Sequence, residues 1–257
     1  MPMAVSTPTE VQPTRVALSP AVASGSPAEL RLASGLLAPR LVRRTRTSAH
    51  VVLVATTATL LGGDTLSLDV TVGPGLRLDL TDVAGTVAYH GRGRTAQVRA
   101  HLRVGAGATL VWAGEPLVVS DGAQVERRLV ADVAEGGRLL VRDHLALGRE
   151  REGGGSLCCR TQFAYAGRPA LVETLDLRSR SEREEPADLG SRRVIDTVTA
   201  VGWRPPASEA SRLDGVTVYA LAEPGAQARA LVRASHESPL PRLWADWSQA
   251  VAVRIAG

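Results

Sequence analysis

The stretch from Thr71 to Leu80 reads TVGPGLRLDL, in which Gly-Pro-Gly separates two runs of alternating apolar and polar residues. Such alternation is typical of half-buried β-strands, and a glycine-rich break between them is typical of a tight turn. A close variant, RVGAGATLVW, begins at Arg103, and a looser one, DVAEGGRLLV, begins at Asp132. The stretch alone predicts a hairpin, and its recurrence predicts that one structural unit is built three times.

The three units share a common register. Aligning Val72, Val104 and Val133 superposes the turn glycines and a leucine of the following strand. The superposed residues are Gly75, Gly107 and Gly136, and Leu78, Leu110 and Leu139. A fourth, degraded copy is FAYAGRPALVETLDL, residues 163–177. Repeats of this size predict stacked supersecondary units, each burying its apolar face on the next.

Helical spacing occurs near the C-terminus, in SPLPRLWADWSQAVAVRI from Ser238 onward. Ser238 is the predicted N-cap, with Pro239 at the first helical position. The apolar stripe of this helix consists of Leu240, Leu243, Trp244, Trp247 and Val251. The stripe either docks on the protein's own sheet or faces a partner, with Leu243, Trp244 and Trp247 as anchors. The predicted fold is therefore all-β dominated, with stacked or helical β-sheet units, glycine hairpin turns and one or two short α-helices near the C-terminus.

The composition indicates one large domain with an extended start. Of the 257 residues, 44% are hydrophobic and only 3% aromatic, so the core must consist of Val, Leu and Ala. The Pro-, Ser- and Thr-rich start predicts a disordered tail over residues 1–27, followed by a single β domain over residues 28–257. The start does not resemble a secretory signal, and no apolar run spans a bilayer, so we expect a cytoplasmic protein without a membrane partner.

The basic residues exclude several kinds of chemistry. All 30 are Arg, so the chain lacks the lysine required by a Walker-A loop, a kinase or a Schiff-base enzyme. The common hydrolase and metalloprotease motifs are absent as well. The arginines are interspersed with 26 acidic residues, which does not favour a nucleic-acid partner.

Four acidic residues lie in strand-rich, apolar surroundings. Asp64 follows Gly62-Gly63, Glu115 follows the second repeat, Asp143 follows the third, and Glu173 lies within PALVETLDL. Carboxylates are hard oxygen ligands, and a line of them suits the passage of a divalent cation better than its storage. Each acid alone is equally consistent with a surface or salt-bridged residue, and their spacing does not separate the two interpretations.

The thiols and imidazoles offer weaker candidates for metal binding. Cys158 and Cys159 are adjacent, so on a strand they point to opposite faces and cannot form a structural disulfide. We expect one buried and one exposed thiol. A soft-metal site at these cysteines and a two-histidine site at His90 and His101 both remain open at the level of sequence.

Several segments, taken in order, resemble the UreD family of urease accessory proteins, called UreH in some organisms. The first is LLGGDTLSLDVTVGPGLRLDLT, the second LVWAGEPLVVSDGAQVERRLVADVAEGGRLLVRDHLALGR and the third GRPALVETLDL. The resemblance covers residues 28–178 well and continues more faintly in PADLGSRRVIDTVTAVG. Its specificity lies in the order of the motifs G-G-D, V-G-P-G-x-x-L, W-x-x-E-P, D-G-A, L-G-R and G-R-P-x-L.

The resemblance implies a non-catalytic chaperone that inserts nickel into apo-urease. Members of the family have a helical β-sheet fold and bind UreF, which recruits the GTPase UreG, so GTP is bound by UreG. A water-filled passage is thought to carry the nickel in transit, with no permanently bound cofactor. Residues carried over as candidates for that passage are Asp64, Glu115, Asp143 and, more weakly, Glu173. Tyr89 matches the aromatic of a basic-aromatic pair whose lysine is missing here, and it becomes a candidate partner contact.

Two alternatives remain at this stage. The first is a generic β-repeat binding module without a metal role. The second is a β-fold metalloenzyme such as a cupin-like oxygenase, which needs two histidines and a carboxylate as ligands. The spacing of His90, His101 and His144 does not supply that set cleanly.

Overall fold

The computed structural model describes residues 12–21, 23, 25–57, 60–207 and 212–253, which form two facing β-sheets and two α-helices. Sheet A contains, in spatial order, β14 (Arg168–Leu177), β13 (Ser156–Tyr165), β11 (Gln124–Val133), β8 (Ala96–Val104), β5 (Thr65–Val72), β1 (Thr14–Ser19) and β2 (Glu29–Ala33). Sheet B contains β16 (Val216–Ala220), β17 (Gly225–Val232), β15 (Val194–Val201), β12 (Arg138–Leu147), β9 (Thr109–Ala113), β6 (Arg77–Asp82), β4 (Ser48–Ala55) and β3 (Leu37–Arg44). The short strands β7 (Thr86–Ala88) and β10 (Leu117–Val119) pair with each other, and β10 also pairs with β12. The helices are α1 (Arg180–Arg183) and α2 (Leu240–Val253). The all-β architecture of stacked units predicted from the repeats is confirmed.

Each glycine turn is a corner between the sheets, and the predicted hairpins are wrong for the three repeats. The turn at Gly75 leads from β5 in sheet A to β6 in sheet B, and the turns at Gly107 and Gly136 do the same in the next units. Each strand pairs in parallel with the equivalent strand of the neighbouring repeat. A local pattern of strand, turn and strand does not distinguish a hairpin from such a corner, because both alternate in the same way.

The strand register reproduces the alignment of the repeats. Val104 lies opposite both Val72 and Val133 in sheet A, and Leu110 lies opposite both Leu78 and Leu139 in sheet B. Equivalent residues therefore stack in rows. The degraded fourth copy ends the stack, because β13 and β14 pair antiparallel and form a true hairpin.

The N-terminal segment contributes a strand, so the predicted tail is wrong for that part of it. Thr14–Ser19 pairs in parallel with β5 and antiparallel with β2, and Val16 and Leu18 are fully buried. The alternation of Val16 and Leu18 supplies enough apolar surface to extend sheet A despite the Pro-rich surroundings. Residues 1–11 of the predicted tail lie outside the described residues.

Helix α2 packs on the outer face of sheet B. Leu243 and Trp247 are buried together with Leu240 and Val251 against residues such as Leu140 of β12. The interpretation of Leu243 and Trp247 as partner anchors is therefore wrong, since the chain's own sheet covers them. The helix begins at Leu240, one residue after the predicted first position Pro239, and the Ser238 hydroxyl accepts a hydrogen bond from the backbone N–H of Leu240. No helix in the described part of the chain is long and apolar enough to cross a membrane.

Candidate functional site

A layer of polar side chains crosses the space between the two sheets. It separates one buried apolar cluster, which includes Leu129 and Val141, from a second, which includes Val125 and Leu145. We define the polar layer as Asp82, Glu115, Arg127, Asp143, Thr161, Glu173, Thr197, Thr199, Gln227 and Arg229, of which only Glu115 is exposed, in the loop after β9. Because burial of ionisable groups between sheets costs free energy, such a layer requires either compensation or a function.

Strand alternation points most of these side chains into the space between the sheets, and strand register places them at the same height along neighbouring strands. Arg127 shares the inner face of β11 with apolar residues two positions away on either side, and Asp143 does so on β12. In sheet B, Asp143 lies opposite Thr197, and Thr197 lies opposite Arg229. In sheet A, Thr161 lies opposite Glu173. The pairing of the strands thus produces a row of polar groups perpendicular to the strands.

One end of the layer contains a cavity of about 70 Å³, lined by Asp82, Glu115, Arg127 and Asp143 among other residues. Asp82 lies at the end of β6, where its Oδ1 accepts a hydrogen bond from the indole N–H of Trp112 (3.0 Å). Its Oδ2 accepts one from the backbone N–H of Glu115 (3.1 Å). Burial raises the pKa of Asp82 to about 6, despite these two hydrogen bonds. The protonation state of this carboxyl group therefore changes close to neutral pH.

An ion pair connects the two sheets beside this cavity. Nη2 of Arg127 lies 2.9 Å from Oδ1 of Asp143, and both side chains are largely buried. Nη1 of Arg127 is also buried, and it has no hydrogen-bond partner within the described part of the chain. A buried guanidinium N–H without a partner is costly and is typically satisfied by water or an anionic group. The position next to Asp143 is therefore polar enough to hold water.

The layer continues into a smaller cavity of about 20 Å³, which is large enough for about one water molecule. Val141 and Asp143 line both cavities. At the far side, Arg229 donates hydrogen bonds to both carboxylate oxygens of Glu173, at 2.8 and 2.6 Å. Asp143 thus stands between the Asp82 end and the Glu173 end of the layer.

The layer carries four carboxyl groups and two guanidinium groups, so its formal charge is negative when all of them are ionised. Carboxylates in a polar, water-sized space attract divalent cations, whereas the two arginines keep the sites from becoming strong cages. No group of three or more His, Cys, Asp or Glu side chains in the described ranges is arranged to hold a metal ion. The chemistry of the layer fits weak, sequential contacts with a divalent cation.

The structure does not place Asp64 with the other three predicted acids. Its Oδ2 accepts a hydrogen bond from the backbone N–H of Leu61 (2.8 Å), which closes the turn at Gly62-Gly63. Asp64 lines an open depression on the outer side of sheet A together with Asp69 and His101. The carboxylate of Asp64 therefore has a local structural role, which is to close this turn.

Tyr89 takes part in a surface cluster. Its hydroxyl accepts a hydrogen bond from Arg149 (3.2 Å), and the guanidinium group of Arg149 lies 5.0 Å from the centre of the tyrosine ring. Arg149 in turn pairs with Glu152.

Trp244 lies elsewhere, partly buried against the apolar residues under α2. Tyr89 and Trp244 remain candidates for partner contacts.

The two cysteines are buried, and His90 and His101 make hydrogen bonds with neighbouring residues. Cys158 and Cys159 are both buried, so the prediction of one exposed thiol is wrong. Burial raises the pKa of Cys159 to about 12, which disfavours the thiolate needed to bind metal. His101 pairs with Asp132, and His90 accepts a hydrogen bond from the backbone N–H of Arg92.

The layer contains three ionisable residues that the sequence analysis missed. They are Asp82, Arg127 and Arg229. Asp82 and Arg127 lie at the same alternation position as buried apolar residues of their own strands, such as Leu80 before Asp82. Arg229 instead follows the buried Gln227 on its face of β17. For Asp82 and Arg127, the signal available in the sequence is a charged residue on the apolar side of an alternating strand.

Comparison with known proteins identifies relatives along most of the chain. The family of UreD urease accessory proteins matches residues 33–255, a range that contains the whole polar layer. Urease accessory protein UreD 1 of Streptomyces griseus is 45% identical over 211 residues, which cover 81% of this chain and 80% of the relative. Urease accessory protein UreD 2 of Saccharopolyspora erythraea is 33% identical over 166 residues, 63% of this chain and 58% of that protein. Urease accessory protein UreD of Rhodopseudomonas palustris strain BisA53 is 38% identical over 128 residues, which cover 48% of this chain and 45% of that protein.

Proposed function

This chain belongs to the UreD family of urease accessory proteins, and from that premise we propose that it conducts nickel into apo-urease through the polar layer between its sheets. In this proposal the protein catalyses no reaction and holds no permanent cofactor. It assembles in the cytoplasm with homologues of UreF and UreG, and the GTP needed for the process is bound by UreG.

The observation that carries the proposal is the row of carboxyl groups linking two cavities between the sheets. Nickel(II) in water is a hydrated dication, and oxygen ligands in a wet space exchange it without trapping it. Asp82 and Glu115 line the larger cavity, Asp143 lines both, and Glu173 lines the smaller. Asp143 therefore has the central role, receiving the ion from one cavity and passing it to the next.

The two arginines act as removable counter-charges. Arg127 and Arg229 neutralise Asp143 and Glu173 while no cation is present. An arriving dication competes with each guanidinium group for the same carboxylate. This competition keeps the affinity of each position low, which suits transfer.

The test is co-expression of the full chain with urease subunits and the UreF and UreG homologues. Asp143→Asn and Glu173→Gln remove the charge and preserve the shape of the two side chains. We expect several-fold less nickel per purified urease, while the amount of assembled accessory complex stays unchanged. The matched control is Asp132→Asn, because Asp132 is an exposed acid on β11, outside the layer.

Three outcomes contradict the proposal. Full nickel content in both variants excludes a role of these carboxylates in transfer. Loss of the complex assigns them to folding or assembly. Failure of the wild-type chain to associate with the UreF homologue under any condition favours a generic binding module instead.

A further inference from the structure

The outer strand of sheet B, far along the sheet from α2, presents an unusual edge. We define the β3 edge as residues 40–46, of which Arg40–Arg44 belong to the strand and Arg46 to the turn that follows. Within the described ranges β3 pairs with β4 alone, and all five residues from Arg40 to Arg44 are exposed. Leu41 is 46% and Val42 57% exposed. Along Arg40–Arg44 this free edge offers backbone N–H and C=O groups to an added strand, whereas the backbone of Thr45 is already bonded to Ala28 and Ser48.

The charge of this edge is not compensated. The run RLVRRTR contains four arginines, and the segment from Leu30 to Gly63 contains five arginines and no Asp or Glu. None of the four arginines of the β3 edge makes an ion pair with another described residue. The protein is only mildly basic overall, so this cluster departs from the interspersed pattern of the rest of the chain.

The other free edges differ in this respect. Val172 on β14 is 67% exposed, but the ionic side chains of that strand are paired with partners on the same molecule. On β2, Arg31 pairs with Glu29. Strand β16 carries no ionic residue at all. The β3 edge therefore combines free backbone, exposed apolar side chains and unpaired positive charge.

These features select the kind of partner. A second copy of the same edge would place arginine against arginine, which disfavours self-pairing. The first 88 residues contain no Phe, Tyr or Trp, so the surface lacks the stacking groups typical of single-stranded nucleic-acid sites. An extended peptide whose acidic residues alternate with apolar ones satisfies the backbone, the arginines and the apolar side chains together.

We propose that the β3 edge docks an extended acidic segment of a partner protein, which joins sheet B as an additional strand. Main-chain hydrogen bonds supply affinity in this mode of recognition, and side-chain contacts supply specificity. The register shift at Val42, which leaves this residue without a partner on β4, limits the docked segment to a short strand. This site is separate from the polar layer and does not depend on the metal role.

The experiment measures binding of a labelled ten-residue peptide of alternating Glu and Val to the full chain by fluorescence anisotropy. We expect saturable binding that weakens with added salt. The triple variant Arg40→Glu, Arg43→Glu, Arg44→Glu should weaken it by about tenfold or more. The triple variant Arg92→Glu, Arg151→Glu, Arg204→Glu changes the charge equally at exposed positions elsewhere and should leave affinity within about twofold.

A second peptide separates strand addition from simple charge attraction. The same Glu-Val sequence, N-methylated at every amide, keeps all side chains and loses every backbone donor, so it should bind at least about tenfold more weakly. Equal binding of the two peptides overturns the proposal, as does absence of binding or equal loss in the two triple variants. Tighter binding of poly-uridylate than of the peptide also overturns it. The peptide comparison uses the wild-type chain, so it stands even if a variant fails to fold.

Discussion

At the scale of single residues, four charged side chains of the site occupy strand positions that alternation otherwise gives to apolar residues: Asp82, Arg127, Asp143 and Glu173. Asp82 follows Leu78 and Leu80 on the inner face of β6. Their apolar surroundings in the sequence predict Glu115, Asp143 and Glu173 as candidates, and each of the three lines at least one of the two cavities. The arginines that accompany them were not predicted, because an ion pair between distant strands leaves no local signal in the sequence. The sequence does not separate Asp64 from these acids, because an acid that closes a turn and an acid that lines a cavity look alike in sequence.

The raised pKa of Asp82 leads to a prediction on stability. Burial holds its pKa at about 6 in the folded state, above the value of 3.8 expected for a free aspartate. The folded protein therefore retains a proton that the unfolded chain releases between these pH values. As pH rises through this window, the free energy of unfolding should fall by up to about 3 kcal/mol from this group alone.

Urea unfolding of wild type and Asp82→Asn at pH 4.5 and 7.5 measures this contribution. The variant lacks the ionisable group, so its stability relative to wild type should improve as pH rises. A difference between the two proteins that does not change with pH would show that Asp82 is an ordinary solvated carboxylate.

At the scale of elements, the glycine turn is the feature on which the stack depends. Gly75, Gly107 and Gly136 have φ angles of 68°, 63° and 71°, in the left-handed region. The corners also contact each other, because the N–H of Gly75 donates to the carbonyl of Ala106 in the next turn (2.9 Å). The repetition of the glycine is therefore a requirement of backbone geometry at equivalent corners.

Substitutions at two neighbouring corners test this requirement. A Cβ at Gly75 meets no atom within 4 Å, so Gly75→Ala should cost only backbone strain, about 1 kcal/mol. Gly75→Asn should cost less than Gly75→Ala, because asparagine adopts the left-handed region more readily. Gly105→Ala should cost more, since its Cβ would lie 2.9 Å from the backbone nitrogen of Pro74. Urea unfolding gives the three values, and an unchanged stability of Gly75→Ala would refute the strain argument.

At the scale of the whole molecule, the repeats predicted the stacking and its register but not the sheet to which each strand belongs. Period-two alternation identifies a strand and its buried face, yet it contains no information on which strands become neighbours. The spacing of the repeats, 32 and then 29 residues, carries that information, since it places Val72, Val104 and Val133 in one row. The repeats do not predict that β1 joins sheet A, because Thr14–Ser19 lies before the first repeat unit.

The central claim is that nickel crosses the molecule between the sheets, and a steric block tests it most directly. Thr161→Met fills the smaller cavity, which Thr161 lines, without altering any charge. Thr174→Met is the matched control, because Thr174 is exposed on the outer side of β14. The measurement is nickel per urease active site after co-expression, with the amount of assembled accessory complex determined in parallel. The account predicts a several-fold loss of nickel for Thr161→Met and none for Thr174→Met, with both complexes intact. Full nickel content with Thr161→Met in an intact, folded complex would contradict passage through the polar layer.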